Sequence, residues 1–287
     1  MRVDAHHHTW DLATGMYRWP TPAEGPIFRT IEVDEIEPHL SAAGIDRTVL
    51  VQAANDTRET ETMLRAADAR AWIGAVVGWV PLERPSDATG YLDAFCRHRR
   101  FRGVRHLIHN EADPDWIVQP AVLDGLAMLE ERGLAYDVVA VYPDHLRHVP
   151  ALAGRFPTLT LVIDHLAKPP FGTDRMADWA ALLTASADHP NVVAKVSGLD
   201  TAAGPGWSAD TLRPAVDVAF DVFGADRLMF GSDWPVSELG GGYERVFAAT
   251  EELLADRSAE EREAVLGGTA SRVYRIEATE PGEEVAG

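Results

Sequence analysis

Residues 159–170 read Leu159-Thr160-Leu161-Val162-Ile163-Asp164-His165-Leu166-Ala167-Lys168-Pro169-Pro170. Between Leu159 and Ile163 only Thr160 interrupts the apolar run. A short run that is apolar on both faces predicts a strand covered on both sides, as in a parallel sheet. It ends in an aspartate and a histidine, and the prolines stop it from continuing. Behind it, residues 174–188 carry the three- and four-residue apolar spacing of a helix.

Working outward, the same strand-then-helix unit recurs in both directions. Strands are predicted over 2–8, 47–53, 73–80, 103–107, 135–140, 159–165, 192–197 and 227–232, with helices over 34–43, 59–71, 86–99, 120–132, 144–155, 174–188 and 209–223. Val122, Leu126 and Leu129 show the spacing. Such alternation implies a parallel sheet with helical crossovers, hence the α/β class. Periodicity alone also fits an open doubly wound sheet. Eight units favour closure into a single-domain (β/α)8 barrel of the TIM type, and 287 residues suit one barrel of about 250. The barrel is expected over 1–276, with final helices at 259–266 and 270–275 packed onto it. The polar tail 277–287 is expected to be disordered.

The composition excludes several functions. With 26 basic and 45 acidic residues the formal charge is −19, which leaves no concentrated basic surface for nucleic acid. No stretch reaches the roughly 18 apolar residues of a membrane span, and the N-terminus lacks a secretory apolar region. Cys96 is the only cysteine, which rules out an internal disulfide and fits the cytoplasm. The expected partner is a small molecule; the oligomeric state is not readable.

Two loops stand out. Residues 9–33 carry Trp10, Tyr17, Trp19 and Phe28, so the segment is either a lid over the barrel mouth or a cluster covering the barrel. Residues 234–243, which begin with Trp234, follow the eighth strand and could close the same mouth.

Chemistry in such barrels sits at the C-terminal strand ends. There the first strand presents His6 and His8 on one face and His7 on the other. Three adjacent histidines also resemble a tag remnant, but Trp10 and the strand pattern speak against that. The sixth strand ends in His165. The eighth runs into Gly231-Ser232-Asp233. Separately, His165 reads more readily as a core histidine, and Asp233 could simply cap a helix or turn. Together they converge on one axial point, where imidazoles and a carboxylate suit a divalent cation, zinc above all. The candidate metal ligands are His6, His8 and Asp233, with His165 as a further donor.

Four elements carry a resemblance: Asp4-Ala-His6-His-His8-Thr-Trp10, Gly103-Val-Arg105-His106, Asp164-His165-Leu-Ala-Lys168-Pro169 and Phe230-Gly-Ser-Asp233-Trp234-Pro235. From Val3 to about Ile276 the chain resembles the amidohydrolase-2 branch of the amidohydrolase superfamily, and within it the L-fucono-lactonase and L-rhamnono-lactonase group, which also holds pyrone-dicarboxylate lactonases. The resemblance implies hydrolysis of a lactone. Asp233 would deprotonate the attacking water, while His6, His8 and His165 would bind a metal or polarise the carbonyl directly. The metal-bridging lysine of binuclear members has no obvious counterpart, since strand four offers Arg105 and His106. Strand five ends near Asp137 instead of a histidine. One metal or none is therefore expected.

Arg105, His106, Asp137, Trp10 and Trp234 are the candidate substrate-binding residues. Lys195 and Ser197 point to the mouth only if the strand register is as drawn. Two competitors stand beside the sugar-lactone hydrolase: a zinc-dependent decarboxylase of a muconate-type acid, and a barrel that binds a small molecule without catalysis.

Overall fold

The computed structural model describes residues 1–277. Eight parallel strands run in the order β1 to β8: β1 Val3–His7, β2 Arg47–Val51, β3 Ile73–Gly78, β4 Phe101–His106, β5 Ala135–Val138, β6 Leu161–Ile163, β7 Val192–Val196 and β8 Leu228–Phe230. Of the expected disordered tail, residues 278–287 lie outside the described residues. The helices are α1 Glu37–Ala43, α2 Thr57–Ala69, α3 Pro85–Phe95, α4 Pro120–Glu131, α5 Val149–Arg155, α6 Met176–Ala187, α7 Leu199–Ala203, α8 Ala209–Phe223, α9 Tyr243–Leu253, α10 Ala259–Glu263 and α11 Thr269–Val273. This is the expected (β/α)8 barrel.

Three elements differ from expectation, the first being the short helix α7 at Leu199–Ala203. Helix α9 occupies 243–253, where the preceding Gly240, Gly241 and Gly242 and a polar face masked the period. The final helical stretch is broken by a π-turn over Ala264–Gly268, and the backbone of Met1 and Arg2 passes so close to Gly267 that a Cβ there would not fit.

Two apolar layers hold the barrel. Leu50, Val76, Tyr136, Val138 and Ile163 face outward onto the helices. Val3, Ala5, Val49, Val51, Ala75, Val77, Ala135, Val162, Val193 and Met229 fill the interior, and Ala270, Tyr274 and Ile276 close its floor from the C-terminal helix.

The seam between β8 and β1 is closed by the loop that follows β8. Asp233 N donates to His6 O at 2.8 Å, His8 N to Trp234 O at 2.8 Å, and Ser232 N to Asp4 Oδ1 at 2.9 Å. Gly231 permits this approach, since a Cβ there would lie 2.7 Å from His6 Cβ.

A bulge re-aims β1. Four residues of β1, Asp4 to His7, lie against three of β2, Thr48 to Leu50. Val3 and Ala5 face inward, so strict alternation would bring His7 inward next. The extra residue reverses the phase, turning His6 and His8 to the axis and leaving His7 Nε2 outside at 2.9 Å from Thr48 Oγ1.

Among the described residues no helix is long and apolar enough to cross a membrane.

Candidate active site

The three histidines and the aspartate meet at the C-terminal mouth. Asp233 Oδ1 lies 3.3 Å from His8 Nε2, 3.7 Å from His6 Nε2 and 4.0 Å from His165 Nε2. His6 Nε2 and His8 Nε2 are 3.1 Å apart. All four residues are buried.

The backbone at this point is strained. His165, Leu166, Ala167 and Lys168 form a left-handed run with φ of 55°, 47°, 59° and 52°, and Asp233 has φ 55°. None is glycine, and the left-handed conformation costs an L-residue roughly 1–2 kcal/mol. Such strain concentrates where a side chain must be aimed. Here it turns His165 and Asp233 toward each other. Gly198, at φ 58°, packs beneath both, with a position for Cβ only 2.7 Å from His165 Nδ1 and 3.0 Å from Asp233 Oδ2. Ser197 Oγ stands 2.8 Å from His165 Nδ1.

The electrostatics separate the roles. Burial pushes the Asp233 carboxyl up, but His165, His8 and His6 outweigh it and hold the group well below the usual carboxylate range. Asp233 is thus an anion with nearby partners. Burial lowers His165 to about 4 and, with Lys195, takes His6 well below its ordinary value. Both are neutral imidazoles at pH 7. His8 Nδ1 donates to Val51 O at 2.8 Å, which turns its Nε2 toward Asp233.

One ligand atom each from His6, His165 and Asp233 lies within 4.8 Å of the others. Two imidazoles and a carboxylate at that spacing, all buried, with His8 Nε2 alongside, fit a divalent cation of the zinc type.

Beneath this layer lies a second, of charged groups. Lys195 is fully buried on β7; its Nζ donates to Asp137 Oδ2 at 2.5 Å and to His6 Nδ1 at 2.9 Å, and stands 3.2 Å from Asp164 Oδ1. Tyr274 Oη donates to both Asp137 oxygens at 2.9 Å. Arg105 Nε donates to Asp164 Oδ2 at 2.7 Å, and Arg105 Nη1 to Gln52 O at 3.0 Å. Burial raises Asp164, but Lys195, His6 and Arg105 together bring it well below its ordinary value.

Several residues expected to touch substrate are placed otherwise. Asp137 lies one layer too deep, with no exposed surface and both oxygens held by Tyr274 and Lys195. His106 accepts from Trp79 Nε1 at 2.9 Å, donates to Glu111 Oε1 at 2.7 Å and stacks on Trp116 at 3.9 Å, so neither ring nitrogen is left over. Trp10 donates its indole to Arg29 O at 2.8 Å and is buried in the fold-back of 9–33, which pairs Trp10 with Ile31. Trp234 lines a cavity of about 240 Å³ with Ile27, Ile31, His39 and Pro235, and His6, His8, His165 and Asp233 are not among its lining residues. Arg105 is buried beside Asp164 and Gln52, and its Nη2 has no partner among the described residues.

Asp164, Gly198 and Tyr274 were absent from the expected site. A charged residue within the apolar Val192–Val196 was the available signal for Lys195. Nothing in the sequence marks Tyr274, because it reaches the barrel from the last helix.

Comparison with known proteins matches residues 3–276 to the amidohydrolase family model. The L-fucono-1,5-lactonase of Burkholderia ambifaria is 39% identical over 280 residues, covering 96% of each chain. The L-fucono-1,5-lactonase of Burkholderia multivorans is 37% identical over 288 residues, again covering 96% of each. A crystal structure of an amidohydrolase from Burkholderia multivorans with bound zinc superposes with a TM-score of 0.90 at 36% identity, covering 96% of this chain and all of that one.

Proposed function

The chain belongs to the amidohydrolase family, and on that premise we propose that it opens a sugar lactone, an aldono-lactone of the L-fucono type, to the hydroxy acid. The observation that carries this reading is the ionised Asp233 set among His6, His8 and His165 within 4.0 Å.

Water attacks the lactone carbonyl as Asp233 takes its proton. An N–H from His6 and the His165 ring stabilise the developing oxyanion, each acting in a buried site where such bonds are strong. When the tetrahedral intermediate collapses, the ring C–O bond breaks and Asp233 returns the proton to the leaving alkoxide. Zinc, were it held by His6, His165 and Asp233, would replace those N–H donors as the Lewis acid that polarises the carbonyl. Arg105 acts from below by holding Asp164.

For the decarboxylase alternative Arg105 offers only Nη2, because Nε and Nη1 are taken by Asp164 and Gln52. A cytoplasmic enzyme of sugar metabolism is the setting we infer, where Cys96 stays reduced.

Acid release from a panel of aldonolactones, including L-fucono-1,5-lactone, tests the proposal, with the protein assayed before and after chelation. Hydrolysis of at least one lactone is expected. Ligand-induced thermal stabilisation without acid release would overturn it in favour of a binding barrel.

A further inference from the structure

His6, Asp137 and Asp164 each place a ligand atom within 4.8 Å of the others, a second donor set of the kind that holds a cation. It already has one. The Lys195 ammonium stands among them, at 2.9, 2.5 and 3.2 Å. An ammonium has three N–H donors and no acceptor. A nitrogen 2.9 Å from it must therefore accept, so His6 Nδ1 carries a lone pair. The competing arrangement, a proton on Nδ1 shared with Asp164 Oδ1, would span a longer 3.4 Å and aim N–H at the ammonium. With Nδ1 bare, the proton of the neutral ring sits on Nε2, directed into the mouth, where His8 Nε2 lies 3.1 Å away.

We propose that Lys195 is a positioning residue: standing where a second cation would stand, it fixes His6 as an Nε2–H donor to the substrate carbonyl oxygen and opposes metal ligation by that nitrogen. Ligation at Nε2 would require the proton to move to Nδ1, against the ammonium. Without Lys195 that obstacle is gone, and Asp164 becomes the acceptor for Nδ1–H, the carboxylate–histidine arrangement that supports metal binding.

The role of the Nε2–H in catalysis rests on the lactonase reading, but the tautomer and the metal affinity do not, so the test separates them. Two-bond ¹⁵N–¹H correlation spectra, with His6 assigned from the His6→Gln difference, report the protonated nitrogen. Competition against a chromophoric chelator reports zinc affinity. The wild type is expected to show His6 protonated at Nε2. Lys195→Met is expected to move the proton to Nδ1, tighten zinc binding about 10- to 100-fold, and lower kcat about 10²-fold with KM little changed. A wild-type His6 protonated at Nδ1 overturns the proposal even if the variant fails to fold. So does a folded Lys195→Met protein with the wild-type tautomer or zinc affinity. Absence of lactone hydrolysis in the wild type would remove the proposed function and leave the tautomer assignment standing.

Discussion

Asp233 keeps its charge in a buried place because three imidazoles surround it, and the water-activating role depends on that charge. Asp233→Asn keeps the shape and removes the base. Its kcat for lactone opening is expected to fall about 10²- to 10⁴-fold while the melting temperature changes little; wild-type turnover would end the base assignment. A second carboxylate nearby behaves in the opposite way. Asp200 is buried, neither oxygen has a hydrogen-bond partner among the described residues, and burial, with Asp233 adding repulsion, pushes its pKa up from 3.8 to about 7. Between those values the folded chain holds a proton that the unfolded chain has lost, so stability falls as pH rises from about 4 through 7. Asp200→Asn removes that slope. It is expected to be more stable than the wild type by about 1–3 kcal/mol at pH 8, with a smaller gain at pH 4.5. Thermal melts at the two pH values check this, and an equal difference at both would contradict it. At this scale the sequence showed His6, His8, His165 and Asp233 because each polar residue ends an apolar strand. It did not show Asp137 as a deep residue. Alternation tells which face a side chain takes, and depth along the axis depends on the register between strands.

The β1 bulge is the clearest case of an element-level feature hidden from the sequence. Two-residue spacing pairs His6 with His8, yet whether the pair or His7 faces the axis depends on one extra residue relative to β2. The eight strands were legible because each is short, apolar and followed by a helical period. Helix α9 was not, since Gly240, Gly241 and Gly242 at its start mimic a loop. The link between β7 and α7 carries a testable constraint. Gly198 is left-handed and leaves no space for a methyl group beneath His165 and Asp233. Gly198→Ala is expected to displace both side chains and disturb the contact between Ser197 and His165. A loss of kcat/KM of at least about tenfold is anticipated, since small misplacements of catalytic groups are costly, together with about 1–2 kcal/mol of stability from the backbone. Steady-state kinetics and a thermal melt measure the two effects, and unchanged kinetics would show that the close packing does not aim the site.

Across the whole molecule, the chain ends meet the chemistry from below. The first strand supplies His6, and the last helix sends Tyr274 into the barrel floor, where its hydroxyl donates to both oxygens of Asp137. Asp137 holds Lys195, and Lys195 holds His6. No single unit contains this path: it passes from the C-terminal helix through β5 and β7 to β1, and exists only once the barrel closes. Tyr274→Phe keeps the ring, which lies 5.5 Å from the Lys195 ammonium, and removes only the hydroxyl. A buried carboxylate deprived of a donor costs about 1–3 kcal/mol, which sets the expected loss of stability. If the path acts as a unit, Tyr274→Phe also lowers kcat, and it does so less in a Lys195→Met background, because the link to His6 is already broken there. A double-mutant cycle in kcat measures that coupling. Additive effects would make Tyr274 a prop for the barrel floor alone; a coupled cycle would join the floor of the barrel to the orientation of His6 at its mouth.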